Sequence, residues 1–446
     1  MIKRSFYNFK SKILICLLVI LVPVVNVMAQ DSVHVNLNKA IEITLSESPT
    51  MRIADRSIEI KKVYKKEQIV SLFPDVSLAA NYNRTLLKQT MSVDMGGQTV
   101  NMKMGRDNTY SVGANLSLPL VAPALWSSLK LSAMDIDLAV ESARSSKIEL
   151  TNQVKQAYYI YLLAKQSYAV LQKSYENLEA SNKIVTNSFN QGLVSEFEKL
   201  RSDVALQNQR PAVTSAAKGV RLAAMRLKVL LGMNIDEPVI FDGQLSDYEQ
   251  EVLNAQVPDE KDLQLAYNSA LRQLDLGIQQ MEQSKKIITS SSLPMLALAG
   301  ALQYSGMGDD GKQFTNYPYS YVALSLQVPI VSWASTNFKL KQSKMNIENM
   351  RDQKLDAERN LRIGVQSYLN DMQQAIEDIA ADRETMNQAQ KAYDIAKKQY
   401  EVGMNTWLDL SSAELTLTST QLTYCQSIYN YLTARANLDA TLGRGE

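Results

Sequence analysis

Two segments with the same spacing each end in an acidic residue. Each reads aromatic, two residues, Gly, two residues, Ser or Thr, two residues, acid, over 189–198 and again over 400–409, and they end in Glu198 and Asp409. Each acid follows a Ser or Thr by three residues, which approaches the capping-box spacing at a helix start. Capping of a helix N-terminus is therefore one role that the spacing gives these acids.

The residues on which most enzymes depend are scarce. The sequence has one histidine, His34, and two cysteines, Cys16 and Cys425. A lone histidine forms no metal-ligand cluster, and no nucleophile and base pair stands out. Lys and Arg number 47 against 46 Asp and Glu, which lacks the basic excess of a nucleic-acid-binding protein. The sequence predicts no enzyme, no metal site, no cofactor and no nucleic-acid partner.

Residues 1–29 have the order of a secretory signal peptide. Basic residues come first, an apolar run covers 13–25, and a small-residue cleavage site ends at Ala29. We expect the mature chain to begin near Gln30. Nothing after this segment offers the roughly 20 consecutive apolar residues that a membrane-spanning helix requires. If the exported chain enters a membrane, we expect it to do so as β-strands.

The remainder is a duplication. Residues 30–233 form the first copy, 263–446 form the second, and 234–262 form an acidic equatorial connector that we place outside the helices. Each copy is predicted to run helix, strand, loop, strand, very long helix, tight turn, helix. Corresponding positions are Phe73-Pro74 with Leu293-Pro294, and Leu231-Gly232 with Leu442-Gly443.

Helices dominate both copies. The long helices are predicted over 127–190 and 338–401, each roughly 64 residues or about 96 Å. Shorter helices are predicted over 37–71 and 196–231, and over 407–442. In the first copy the lengths of the two shorter helices sum to about the length of the long helix. The two shorter helices could therefore stack end to end beside it. The long helices keep an apolar spacing of three and four that indicates left-handed coiled-coil packing, as in Val154, Ala157, Tyr161, Ala164 and Tyr168.

Four short segments alternate apolar with small or polar residues, which predicts β-strands over 77–84, 109–118, 295–304 and 318–328. Each is about as long as the 9 to 11 residues that a tilted strand needs to cross a bilayer. A soluble sheet with one wet face is the alternative. Two such hairpins beside very long helices in an exported chain favour the membrane.

Four strands cannot close a barrel, and open edges in lipid would leave backbone groups unpaired. Several copies must therefore share one barrel. Two copies would give eight strands with a filled interior, whereas three give twelve with room for passage. The predicted fold is mainly α with a β-barrel segment: a trimeric 12-stranded transmembrane barrel on a long α-helical coiled-coil tunnel. The interstrand segments 85–108 and 305–317 are expected as extracellular loops, so the helices point into the periplasm.

Over the whole mature chain, the duplication, the proline-marked strand boundaries and the repeated acidic motif resemble the TolC-like outer membrane efflux family. The resemblance implies a homotrimer in outer-membrane lipid with a long periplasmic extension, closed at its far end until a periplasmic adaptor docks. It implies an inner-membrane pump or ABC exporter as the energy source. It also implies that the adaptor contacts the two helix-tip turns, at Gln191, Gly192, Leu193, Val402, Gly403 and Met404.

In the best-known members of that family, two acids three residues apart ring the closed entrance. Asp409 matches the first, but Ser412 occupies the second place, so the resemblance implies at most one ring of carboxylates there. Together with Glu198, these residues are the gate candidates, beside the capping alternative. Trp407 and Leu408 either anchor a partner or staple the tip.

The predicted function is an outer-membrane channel-tunnel that passively conducts small molecules, such as drugs and toxic compounds, from a pump and adaptor to the outside. One alternative is the same duct in type I protein secretion. The other is a periplasmic coiled-coil structural or adaptor protein without a barrel.

Overall fold

The computed structural model describes residues 33–259, 263–309, 311, 313–330 and 333–444. The predicted signal peptide at 1–29 lies outside the described residues. The protein is mostly helical with a smaller β part, and its helices are far longer than the usual globular helix. Within the described part of the chain, no helix combines the length and the apolarity needed to cross a bilayer.

The first copy begins with a short strand, β1 (Val33–Val35), and two helices, α1 (Leu37–Glu47) and α2 (Pro49–Val70). The prediction of a single helix over 37–71 is therefore wrong. Ser48 breaks it, because its backbone is extended and its side chain accepts the Thr50 N–H at 3.2 Å as the cap of α2. Pro49 then opens α2, where its missing N–H leaves nothing unpaired.

Strands β2 (Asp75–Arg84) and β5 (Asn108–Val121) precede the long helix α3 (Pro123–Asn190), and α4 (Glu196–Leu230) returns from the tip. The segment expected as a loop at 85–108 also holds a hairpin of its own. This hairpin consists of β3 (Gln89–Met95) and β4 (Gln98–Met104).

The connector contributes β6 (Val239–Phe241), a 3₁₀ turn (Leu245–Tyr248) and the short helix α5 (Glu249–Leu253). β6 pairs in parallel with β1. The connector packs against the middle of the helices, where the Phe241 and Tyr161 rings meet edge to face at 5.3 Å and the main hydrophobic core lies.

The second copy repeats the plan after a 3₁₀ turn (Leu265–Tyr267). It holds α6 (Ser269–Ser290), β7 (Met295–Gly308), β8 (Thr315–Gln327), α7 (Trp333–Glu401) and α8 (Trp407–Thr441). The long helices α3 and α7 have 68 and 69 residues, which is about 102 Å each. Both start four or five residues earlier than predicted. The strands β7 and β8 also extend into the predicted loop at 305–317, because their pairing continues to Met307 opposite Thr315.

Four strands form one antiparallel sheet in the order β2-β5-β7-β8. The register places like residues in rows across all four strands. One row on the first face is Val76, Leu116, Gly300 and Val322, and the next row, on the opposite face, is Ser77, Asn115, Ala301 and Tyr321. The sheet therefore has an apolar face and a small or polar face, as the alternation in sequence predicts.

The helices form a single layer in a matching order. The first part of α3 packs between α2 and α6, and its second part packs between α4 and α8. The helices α6 and α8 also pack against successive parts of α7. Across the layer the order is thus α2 stacked on α4, then α3, then α6 stacked on α8, then α7.

One buried carboxylate lies inside this helical layer. Glu414 of α8 is only 3% exposed and accepts two hydrogen bonds at 3.2 Å from the Asn177 amide of α3. Next to it, the Thr418 hydroxyl donates to Ser174 Oγ at 2.9 Å. Burial raises the pKa of Glu414, although hydrogen bonds from Asn177, Ser174 and Tyr393 oppose that shift. Helix α8 is joined to α3 by polar contacts at this level.

We predict that Glu414→Gln stabilises the protein at pH 8 and that this gain disappears as the pH falls toward 4.5. The pKa of Glu414 is raised in the folded state, so its ionisation costs stability above that pKa, and the cost is absent once the group is protonated. The measurement is the apparent melting temperature of both proteins from pH 8 to pH 4.5. The same change at the exposed Glu377 is the control, and a Glu414→Gln gain that grows on acidification would contradict the prediction.

Candidate functional site

Each long helix ends in a tight turn whose glycine is required by the backbone. Gly192 and Gly403 have φ of 71° and 75°, in the left-handed region. At the first turn, the Leu193 N–H donates to the Ser188 carbonyl at 2.9 Å. At the second turn, the Met404 N–H donates to the Gln399 carbonyl at 2.8 Å. These bonds close the C-terminus of α3 and of α7 in the same way, which is the Schellman arrangement.

The helices that follow the turns begin at the Ser and Thr of the repeated motif. The Ser195 hydroxyl accepts the Glu198 N–H at 3.2 Å, and Thr406 Oγ1 accepts the Asp409 N–H at 3.3 Å. Asp409 returns the bond, because its Oδ2 accepts the Thr406 N–H at 3.3 Å. The capping box is therefore complete at the second tip.

Glu198 has a partner that sequence spacing does not reveal. Its Oε1 accepts the backbone N–H of Trp407 at 3.3 Å, so the acid of the first tip caps the helix of the second tip. The Arg201 guanidinium lies over the Trp407 ring at 5.9 Å, in cation–π range. Trp407 is 3% exposed, so here it staples the two tips. We name these three residues the tip clasp.

Burial and a nearby charge also affect Tyr400, the aromatic residue at the start of the second motif. Burial, and then the nearby charge of Glu198, raise the pKa of Tyr400 to about 12. Tyr400 therefore stays a neutral phenol at neutral pH. Glu198 thus acts on two residues of the second tip, Trp407 and Tyr400.

The turns themselves present apolar side chains to solvent. Leu193, Val402 and Met404 are largely exposed, with Met404 at 80%, and Phe197 lies beside them. Exposed apolar patches of this kind on an otherwise polar surface mark sites of protein contact. The predicted turn residues thus form an accessible surface at one end of the molecule.

Asp409 and Ser412 are both exposed and lie one turn apart on α8. Asp409 thus caps the helix from an exposed position. Among the residues that the structure describes, no group of three or more His, Cys, Asp or Glu side chains could hold a metal ion. What this end of the molecule offers chemically is charge, hydrogen bonding and an apolar surface.

The comparison with known families agrees with this geometry. The pattern of the family described as outer membrane efflux protein matches residues 40–233 and 262–444. The chain belongs to the outer membrane efflux protein family. The resemblance seen in the tip motifs and the duplication is therefore confirmed.

Individual relatives cover most of the chain at low identity. Outer membrane protein TolC of Escherichia coli (strain K12) is 25% identical over 371 residues, which is 76% of this chain and 73% of TolC. Alkaline protease secretion protein AprF of Pseudomonas aeruginosa is 23% identical over 417 residues, covering 92% of this chain and 85% of AprF. The crystal structure of the Campylobacter jejuni CmeC outer membrane channel is 16% identical with a TM-score of 0.72, covering 92% of this chain and 86% of CmeC. The likeness to CmeC shows the shared fold.

As an outer membrane efflux protein, the chain is an outer-membrane channel of an efflux and secretion system, and its helices form a tunnel in the periplasm. The predicted function and localisation are confirmed at this level. The family is one of channels and not of enzymes.

We predict that Gly403→Ala destabilises the protein by about 1 kcal/mol per chain, because a side chain at positive φ is strained. No atom lies within 4 Å of the added methyl group, so the backbone alone sets the cost. Gly364, inside α7, also has open space around it, and Gly364→Ala should stabilise by about 0.5–1 kcal/mol. Denaturant unfolding in detergent measures both changes. Equal effects of the two substitutions would contradict the prediction.

We predict that Glu198→Ala loosens the start of α8 across the tip clasp. Loss of a helix cap of about 1.4 kcal/mol corresponds to roughly tenfold faster amide exchange at Trp407. Hydrogen–deuterium exchange of the peptide around 403–410 measures this directly. Glu196→Ala, two residues earlier on the exposed surface of α4, is the matched control and should leave that peptide unchanged. If both variants behave alike, Glu198 is not the cap of α8.

Proposed function

We propose that three copies of the chain close one 12-stranded barrel and a continuous helical tunnel, and that this duct passively conducts small molecules to the outside. An inner-membrane pump delivers them through a periplasmic adaptor. The observation that carries the proposal is that the sheet and the helical layer end at the same two edges. The duct itself performs no reaction.

The sheet has two unpaired edges. Every residue of the edge strands β2 and β8 is exposed in the single chain. In lipid, each unpaired N–H or C=O group costs several kcal/mol, so about half of the backbone groups of these strands require a partner strand. A second copy supplies one, because β8 of one chain can pair with β2 of the next.

The helical layer has the same two edges. β2 follows α2 and β8 leads into α7, so the edge strands continue into the edge helices. On α2 and α4 the exposed apolar residues recur mostly at intervals of three, four and seven. They are Ile53, Ile60, Val63, Tyr64, Ile69 and Val70 on α2, and Phe197, Leu200, Val204, Leu222 and Val229 on α4. The opposite edge, α7, exposes Phe338, Met345, Leu355, Ile363 and Ile395.

Contact between these unlike edges is head-to-tail. Such an interface forms a ring when the rotation closes. Two copies would give an eight-stranded barrel filled by side chains, while three give twelve strands and an open interior. A conducting role favours the homotrimer.

The apolar face of the sheet supports a membrane setting over a barrel-free adaptor protein. Leu78 and Val322 are each 77% exposed on that face, which water does not favour. Three tyrosines of this face, Tyr82, Tyr110 and Tyr304, lie at the end of the sheet next to β3 and β4. The ring centroids of Tyr110 and Tyr304 are 6.2 Å apart. An aromatic belt at the membrane surface is typical of outer-membrane barrels. We place this end outside the cell and the helix tips in the periplasm.

The exposed helix tips fit the adaptor. Gln191, Gly192 and Leu193 form one contact turn, and Val402, Gly403 and Met404 form the other. Both are tight turns with apolar side chains directed outward. Protein secretion through the same duct is the second candidate, favoured by the similarity to AprF, whose name describes alkaline protease secretion.

We further propose that Asp409 rings the periplasmic entrance and that Ser412 leaves the next ring uncharged. The position of Asp409 at the start of α8, exposed and next to the turn, supports this role. Glu198 contributes to the gate through the tip clasp, by holding the start of α8. Capping and gating thus coexist at these acids.

Ion selectivity in planar bilayers tests both the duct and the gate. Asp409→Asn keeps an oxygen for the Thr406 N–H but removes the charge, whereas Asp409→Ala removes both. We expect discrete pores, a cation preference that falls roughly two- to fivefold in both variants, and a rise in Ser412→Asp. If Asp409→Asn matches the native protein, Asp409 only caps the helix. Absence of pores from the folded trimer would contradict an open duct.

A further inference from the structure

The small or polar face of the sheet carries one group that neither the membrane nor the helix tips explain. Strand alternation places Tyr317, Tyr319 and Tyr321 of β8 together on this face. The Tyr319 hydroxyl donates to Oε1 of Gln303, its direct partner in the register, which places both side chains on the same face. About half of each tyrosine is exposed. We name the three the tyrosine ladder.

The residues beside the ladder are smaller. On β7 its direct partners are Ser305, Gln303 and Ala301, and on β5 the same rows continue to Ser111, Gly113 and Asn115. None of these has a ring that could cover the tyrosines. The three tyrosine side chains therefore project further from the sheet than the side chains beside them.

Charge is almost absent from this face. The described parts of the four strands hold two residues of the Asp, Glu, Lys and Arg types, Asp75 and Arg84. Strand alternation places Asp75, at the helical end of β2, on this face and Arg84 on the opposite face. Selection by net charge is weak on such a wall. The ring faces of the tyrosines carry partial negative charge and attract cations, and they also pack against apolar groups.

The next step rests on the proposed trimer, in which this face lines the passage. There β2 of the next copy lies beside β8 and brings small residues such as Ser77, Ala79 and Asn81 to the same face. Three ladders, nine tyrosines in all, would project into the outer half of the duct. Successive rings on one strand lie about 6.6–6.8 Å apart.

We propose that the tyrosine ladder is a row of weak binding sites for organic cations that carry aromatic or apolar groups. Each ring offers a weak cation–π and packing contact, and the next ring is one short step away. Conduction requires sites that are weak and multiple, so that a solute enters and also leaves. The ladder gives the barrel part of the duct a substrate preference that its nearly uncharged wall would otherwise lack.

Block of the pore by tetraphenylphosphonium tests the ladder, with tetraethylammonium as the cation that lacks rings. In planar bilayers with the full trimer, we expect Tyr319→Ser to raise the half-blocking concentration of tetraphenylphosphonium about two- to fivefold. The triple change of Tyr317, Tyr319 and Tyr321 to Ser should raise it further. Tyr319→Phe keeps the ring and should stay within about twofold of the native protein.

Tyr304→Ser is the matched control. Tyr304 neighbours the partner of Tyr319 on β7 and is equally exposed, 47% against 48%, but it lies on the apolar face. It should leave the block unchanged. A block that is unaffected by the triple variant, or equally affected by Tyr304→Ser, overturns the ladder while the conductance still supports the duct. Absence of any conductance would contradict the proposed function instead.

Discussion

Pairing of the backbone at the two sheet edges is the constraint on which the structure depends. A strand in lipid cannot leave its N–H and C=O groups unpaired. Within the part of the chain that the structure describes, no strand pairs with the outer side of β2 or of β8. No rearrangement within four strands closes a barrel of useful width. In the proposed trimer the missing partner strands come from other copies, so each chain forms one segment of the wall of the duct.

The helical layer has a similar constraint, which concerns the burial of apolar side chains and not backbone hydrogen bonding. Each shorter helix buries one side against a long helix, and the outer sides of α2, α4 and α7 keep apolar residues in solvent. The order of elements is the same in the sheet and in the helical layer. In the proposed trimer, one rotation between copies would therefore satisfy both the hydrogen bonding of the barrel and the burial of apolar residues in the tunnel. At the tips, the capping box of Asp409 and the tip clasp of Glu198 hold the ends of this wall in place.

Much of this was predictable because the signals are periodic. The three-and-four spacing in α3 and the alternation in β5 identify the elements, and the glycine motifs place the turns. Contacts between distant residues were not predictable. Glu198 and Trp407 are 209 positions apart, and nothing in a local pattern says that one caps the other.

Smaller errors have equally local causes. Ser48 followed by Pro49 divides a predicted helix, because a capping side chain and a proline together end one helix and start the next. The β3 and β4 hairpin was expected as a loop, and the pairing of β7 with β8 continues past the predicted ends. The most direct measurement of the central claim is the mass of the detergent-solubilised particle by native mass spectrometry. The account predicts three chains per particle, whereas a single chain that remains dissolved in buffer without detergent would contradict it.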